Sequence, residues 1–222
     1  MDTWRTDWVT KKQQIALRLA SGECGGSYGE AVLILCSALN ALAAEVFPGE
    51  GIDRKRFVEL LKEYAPPQLS ATRISIPLLV GRLRTAGMNT ESKRIEKAFL
   101  NFCTSQVLTG DEVDKTEEEI LAVCNTVSSK DIRECSYANL LYREVRSSYA
   151  HEYRSGKRAD PWSMTQESNA HVSYRNWVDD PDRRIHFPVG WISELAIRIA
   201  QAVDGMAAAL PRTKPTRWWI EG

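Results

Sequence analysis

The stretch Ser27-Tyr28-Gly29-Glu30, running into the apolar segment 31–44, constrains this chain most. A serine followed three residues later by a glutamate can satisfy the free N–H groups of a helix start reciprocally. A helix is therefore expected from about Tyr28 to Phe47. Its apolar run is too short to span a bilayer, so it reads as a buried core helix around which other elements must pack.

Those elements are mostly helical by the same reasoning. Trp4, Trp8, Ile15 and Leu19 recur at helical spacing until Gly22, Gly25 and Gly26 break the pattern. Asp53 has the character of a cap for a helix whose Phe57, Leu60, Leu61 and Tyr64 share one face, and Pro66-Pro67 ends it. Pro77 sits where a first-turn proline is tolerated, which predicts a short helix over 78–86 closed by Gly87. The next helix opens at Thr90-Glu91, turns Ile95, Phe99, Phe102 and Val107 inward, and stops at Gly110.

Asp111, Glu112, Asp114, Glu117, Glu118 and Glu119 then surround one lysine and read as a solvated loop and helix start, where carboxylates favour the N-terminal dipole. From about Lys130 to Arg154 the stripe Ala138, Leu141, Val145, Tyr149 marks a long amphipathic helix. Segments 171–177 and 183–187 flank Asp179-Asp180-Pro181-Asp182 and predict a small hairpin, with His171 and His186 as solvent-exposed strand residues. Ile192, Leu195, Ile199, Val203 and Met206 give the core face of a last helix over about 191–210. A basic, aromatic tail follows at 211–222, in which Trp218 and Trp219 either dock onto the body or grip single-stranded nucleic acid. The expected fold is mainly α, a helical bundle with a small β-hairpin, at about 170–188, before the C-terminal helix, all in one domain over 1–222.

Lys+Arg and Asp+Glu number 29 each and the isoelectric point is near 6.8, so no overall positive field draws the chain to nucleic acid. Any anion site has to be a local patch. Five scattered cysteines lack the paired spacing of zinc ribbons or redox dithiols, which suits reduced thiols in a cytoplasm. The N-terminal segment lacks the basic-then-apolar order of a signal peptide, and no membrane association is expected.

A local patch does exist. Between Arg143 and Arg158 five basic residues face two acidic ones, and this segment carries Arg146 and His151. An imidazole can exchange a proton at a phosphodiester while a guanidinium holds the phosphate. Arg143, Arg154, Lys157 and Arg158 would supply further contacts to an RNA backbone.

The phrase Leu141-Tyr142-Arg143-Glu144-Val145-Arg146-Ser147-Ser148-Tyr149-Ala150-His151-Glu152-Tyr153 resembles the motif helix of the HEPN superfamily, mainly helical domains of which many are metal-independent ribonucleases. In that family an arginine is followed by a polar residue and, after a variable gap, a histidine, so Arg146, Ser147 and His151 are the positions that match. The resemblance implies an endoribonuclease of toxin or defence-effector type, with RNA as substrate, no cofactor and no metal. An antitoxin or regulatory protein is a possible further partner. Ser147 stands where the family often has asparagine, aspartate or histidine, and the hairpin lies outside the minimal bundle.

Five positions on an ideal helix amount to about 500° of rotation, which leaves Arg146 and His151 some 140° apart. The resemblance implies the remedy of a two-fold homodimer whose motif helices line a shared cleft. The chemistry would be attack of a ribose 2′-hydroxyl on its own phosphate, with His151 as general base or acid and Arg146 stabilising the charged oxygens. Ser147 would orient the imidazole or contact phosphate. Two alternatives remain open: a non-catalytic module of the same type that binds RNA, a nucleotide or a protein, and a regulatory scaffold working through the acidic segment near Glu117.

Overall fold

The computed structural model describes residues 3–100, 107–161, 171–177 and 180–221. The chain is mainly helical with a small three-stranded antiparallel sheet. At its centre lies α2 (Tyr28–Val46), opened by the expected capping box of Ser27 and Glu30 and packed by α1 (Trp4–Ala20), α3 (Asp53–Tyr64) and α11 (Val189–Gly205). By length and composition α2 could cross a membrane. Here its Leu35, Cys36, Leu39, Ala43 and Val46 are sealed in the core.

The outer helices follow their sequence signals with small shifts. Asp53 is the first residue of α3 rather than its cap and pairs with Arg56. Pro77 lies in the first turn of α4 (Ile76–Thr85), whose cap Ser75 accepts from the Leu78 N–H. In α1 the buried residues are Arg5, Val9 and Ala16, whereas Trp4 and Ile15 are exposed. The reason is ionic: Arg5 donates to Asp204 of α11 at 3.1 Å and pairs with Glu45 of α2, while the Thr6 hydroxyl donates to Asp204 at 2.6 Å. This network turns α1 away from the register that its apolar residues suggest.

Three expectations are corrected. The helix α5 (Asn89–Phe99) ends before Val107, which instead starts a strand, β1 (Val107–Thr109); Phe102 lies outside the described residues. Gly110 then opens a short helix, α6 (Gly110–Val113), instead of stopping one, followed by α7 (Glu117–Val123), whose carboxylates sit at capped starts as the acidic segment suggests. The long helix expected over 130–154 divides. A five-residue α8 (Ser129–Arg133) stands apart, and the motif lies on a second helix that begins as α9 (Tyr137–Leu140), widens into a π turn (Leu141–Ser147) and closes as α10 (Ser148–Glu152).

The hairpin pairs β2 (Ser173–Trp177) with β3 (Asp180–His186), and β1 adds to the free edge of β2 with Leu108 opposite Tyr174. Part of the expected turn, Asp180 to Asp182, belongs to β3. The sheet is tied to the helices through Asp114, a member of the acidic segment that is buried rather than solvated. Its carboxylate accepts from the hydroxyls of Tyr137 and Tyr174 and, at 3.0 Å, from the Ile76 N–H. Burial pushes that carboxyl up to about 7 against the pull of these donors.

His186 corrects another expectation. It is buried beside Tyr28, its Nδ1 lies 2.8 Å from the Asp160 carbonyl, and burial lowers its pKa. His171 is exposed as expected, but its Nδ1 lies 2.6 Å from a carboxylate oxygen of Asp111. The tail docks: Trp218 is buried edge-on to Phe47, the Trp219 N–H donates to Glu59 at 2.9 Å, and Arg133 lies over the Trp219 ring.

Candidate nucleic-acid cleft on the motif helix

The stripe Ala138, Leu141, Val145, Tyr149 is buried as its spacing predicts, and it fixes which sides of the motif helix remain open. Tyr149 packs so tightly on α2 that a Cβ on Gly29 would lie 2.8 Å from its ring. Through the π turn two carbonyls look outside the helix ladder: that of Arg143 accepts from the Ser148 hydroxyl at 3.0 Å, and that of Glu144 from the Gly156 N–H at 2.7 Å. Such a widened turn frees backbone acceptors for neighbouring chain. Here the Glu144 carbonyl holds the loop that follows the helix.

That loop begins at Tyr153, which takes a left-handed conformation with φ 54° and ends α10. The chain then doubles back along the helix. The Tyr149 hydroxyl meets Ser155, the Arg158 N–H donates to Glu144 Oε2 at 3.3 Å, and the Ile185 N–H of β3 donates to the Arg158 carbonyl at 2.8 Å. Gly156 passes over Glu144 so closely that a Cβ there would lie 2.2 Å from Glu144 Oε2 and 2.9 Å from its Cα.

Between helix, loop and β3 lies a cleft of about 700 Å³, and its lining gathers Arg143, Arg154, Lys157, Arg158 and Arg184. All four residues expected from sequence to hold RNA are thus brought to one place. Arg143 is tied to Glu134 at 2.8 Å, and Arg154 to Glu152 at 2.7 Å. The lining residues that sequence reasoning did not single out are Glu144, Ser148, Ser155, Gly156 and Arg184. Glu144, Ser148 and Glu152 follow one another at four-residue spacing, so a polar stripe beside the apolar one was the available signal. Arg184 had none, because only the return of the hairpin brings it here.

Arg146, Ser147 and His151 do not line this cleft. Arg146 lies over the Tyr142 ring at 5.2 Å and near enough to Cys36 of α2 to oppose the burial that pushes that thiol up to about 12. Ser147 is half-buried at the end of the π turn, and His151 is exposed one residue before the helix ends. No hydrogen bond joins Arg146 to His151 among the described residues, in keeping with their wide angular separation.

Among the described residues no group of three or more His, Cys, Asp or Glu could hold a metal ion. Cys24, Cys36, Cys124 and Cys135 are free thiols, and Cys103 lies outside the described residues. Comparisons with protein-family models, with curated proteins and with solved structures found no match.

Proposed function

We propose that this chain is a metal-independent endoribonuclease of the HEPN-like type, which grips RNA in the basic cleft and cuts it with Arg146 and His151. The observation that carries the reading is the convergence of Arg143, Arg154, Lys157, Arg158 and Arg184 on one cleft beside the motif helix of a chain with no net charge. A local cationic groove of this kind suits backbone phosphates and needs no overall positive field. The exposed imidazole of His151 is one residue from Glu152, at the cleft's edge.

In the proposed reaction His151 takes the proton of a ribose 2′-hydroxyl, whose oxygen forms a bond to the adjacent phosphorus. The bond from phosphorus to the 5′-oxygen of the next nucleotide breaks, and that oxygen takes a proton from the imidazolium of His151 of the second copy as it leaves. The products are a 2′,3′-cyclic phosphate and a 5′-hydroxyl end. Arg146 stabilises the charge that builds on the phosphorane oxygens. Because Arg146 and His151 face different flanks of one helix, the pair acting on a phosphate comes from two copies related by a two-fold axis. The cleft's charge also suits an acidic antitoxin or regulatory protein.

A second reading, a non-catalytic RNA-, nucleotide- or protein-binding module, is favoured by Arg146 resting on Tyr142 outside the cleft. Incubating RNA with the wild-type chain, Arg146→Ala and His151→Ala in chelator separates the two. The nuclease reading predicts cyclic-phosphate ends from the wild type alone, with all three proteins equally folded. RNA that is bound and stays intact supports the module, and equal cutting by the variants removes Arg146 and His151 from the chemistry.

A further inference from the structure

A carboxylate repels phosphate, so the carboxylate in this cationic cleft has to meet something other than an anion. Glu144 is 8% exposed and lines the cleft. Its carboxylate accepts from the Arg158 N–H at 3.3 Å, and it forms no ion pair among the described residues. The other acidic residue there, Glu152, is already engaged by Arg154. An ionised carboxylate has about four acceptor positions, so most of the capacity of Glu144 is unused within the chain. Its unused positions open onto the cleft, where they meet water or a ligand that brings a hydrogen-bond donor.

The neighbours of Glu144 decide which donor this is. Arg143, Lys157, Arg158 and Arg184 line the same cleft, so a phosphate held by these cations sits close to the carboxylate. In a single-stranded nucleic acid the donor nearest the phosphate is the ribose 2′-hydroxyl; the N–H groups of the bases lie on the far side of the sugar. We propose that Glu144 accepts a hydrogen bond from a ribose 2′-hydroxyl and thereby makes the cleft selective for RNA over DNA. Gly156 is part of the device, since any larger residue would fill the space against Glu144 Oε2. The assignment rests on the cleft being the RNA site, and it concerns binding, apart from the reaction at Arg146 and His151.

The test measures binding of a short fluorescent RNA, the DNA of the same sequence, and a set of RNAs each carrying one 2′-deoxy position. The full chain is used with His151→Ala to prevent cutting, with and without Glu144→Ala. A hydrogen bond to a charged acceptor is worth about ten- to hundredfold in affinity. RNA should therefore bind at least tenfold tighter than DNA, and one deoxy position should reproduce most of that loss. Glu144→Ala should bring RNA to the level of DNA while leaving DNA unchanged or slightly tighter. Should Glu144→Ala tighten RNA and DNA alike, with no deoxy position mattering, the carboxylate only offsets neighbouring cations and the assignment is overturned. The deoxy series decides the matter even if the alanine variant folds poorly. Failure of both nucleic acids to bind the His151→Ala chain overturns the RNA reading of the cleft and this assignment with it.

Discussion

Gly156 bears on the cleft in a way that no side chain could. Its N–H holds the Glu144 carbonyl at 2.7 Å, and a Cβ there would collide with both the carboxylate and the backbone of Glu144. Gly156→Ala is expected to lift the 154–158 segment from the helix and to cost about 1–3 kcal/mol, as overpacking does. A lowered melting temperature together with weakened RNA binding is the predicted outcome. Unchanged melting would mean that the loop accommodates the methyl freely. The basic segment was legible in the sequence, since Arg143, Arg154, Lys157 and Arg158 all line one cleft. The buried acceptor Glu144 was not legible. A glutamate in an amphipathic helix reads as solvated, and only the loop folding back encloses it.

The helices were largely legible because caps and 3.6-residue spacing are local signals. Ser27 with Glu30, and Pro77 in its first turn, act where the sequence places them. What depends on partners far along the chain was not. Val107 looks like the next inward residue of α5, and its role as a strand becomes evident only when β2, more than sixty residues on, lies beside it. The π turn keeps Leu141, Val145 and Tyr149 on the buried side, so the apolar stripe does not betray it.

Asp114 joins these elements, since its donors come from α9, β2 and the start of α4. Its carboxyl is raised from its unfolded value near 4 to about 7, so the folded chain holds this proton more tightly than the unfolded one. The corresponding stability is fully present below about pH 4 and is lost as pH rises through about 7. Denaturant melts of the wild type should show this group's contribution falling across that window, and Asp114→Asn should flatten that part of the profile. An identical pH profile for Asp114→Asn would place the titration elsewhere.

Across the molecule one apolar cluster runs from Val9 to Ile220, and the docked tail is part of it. Trp218 is 8% exposed against Phe47, so Trp218→Ala should cost about 3 kcal/mol, read as a lower denaturation midpoint with no change in RNA affinity. Weaker binding at unchanged stability would instead assign the tail a part in gripping nucleic acid. With 29 basic and 29 acidic residues the chain exerts no general attraction on RNA, so the proposed function requires that affinity originate in the cleft. The salt dependence of RNA binding, measured in chelator on the His151→Ala chain, reads this most directly. For a single strand each phosphate contact contributes about 0.7 to the slope of log affinity against log salt. The account predicts that Arg143→Ala, Lys157→Ala and Arg158→Ala each lower that slope by about 0.7 and weaken binding together. A slope unchanged in the triple variant would contradict it.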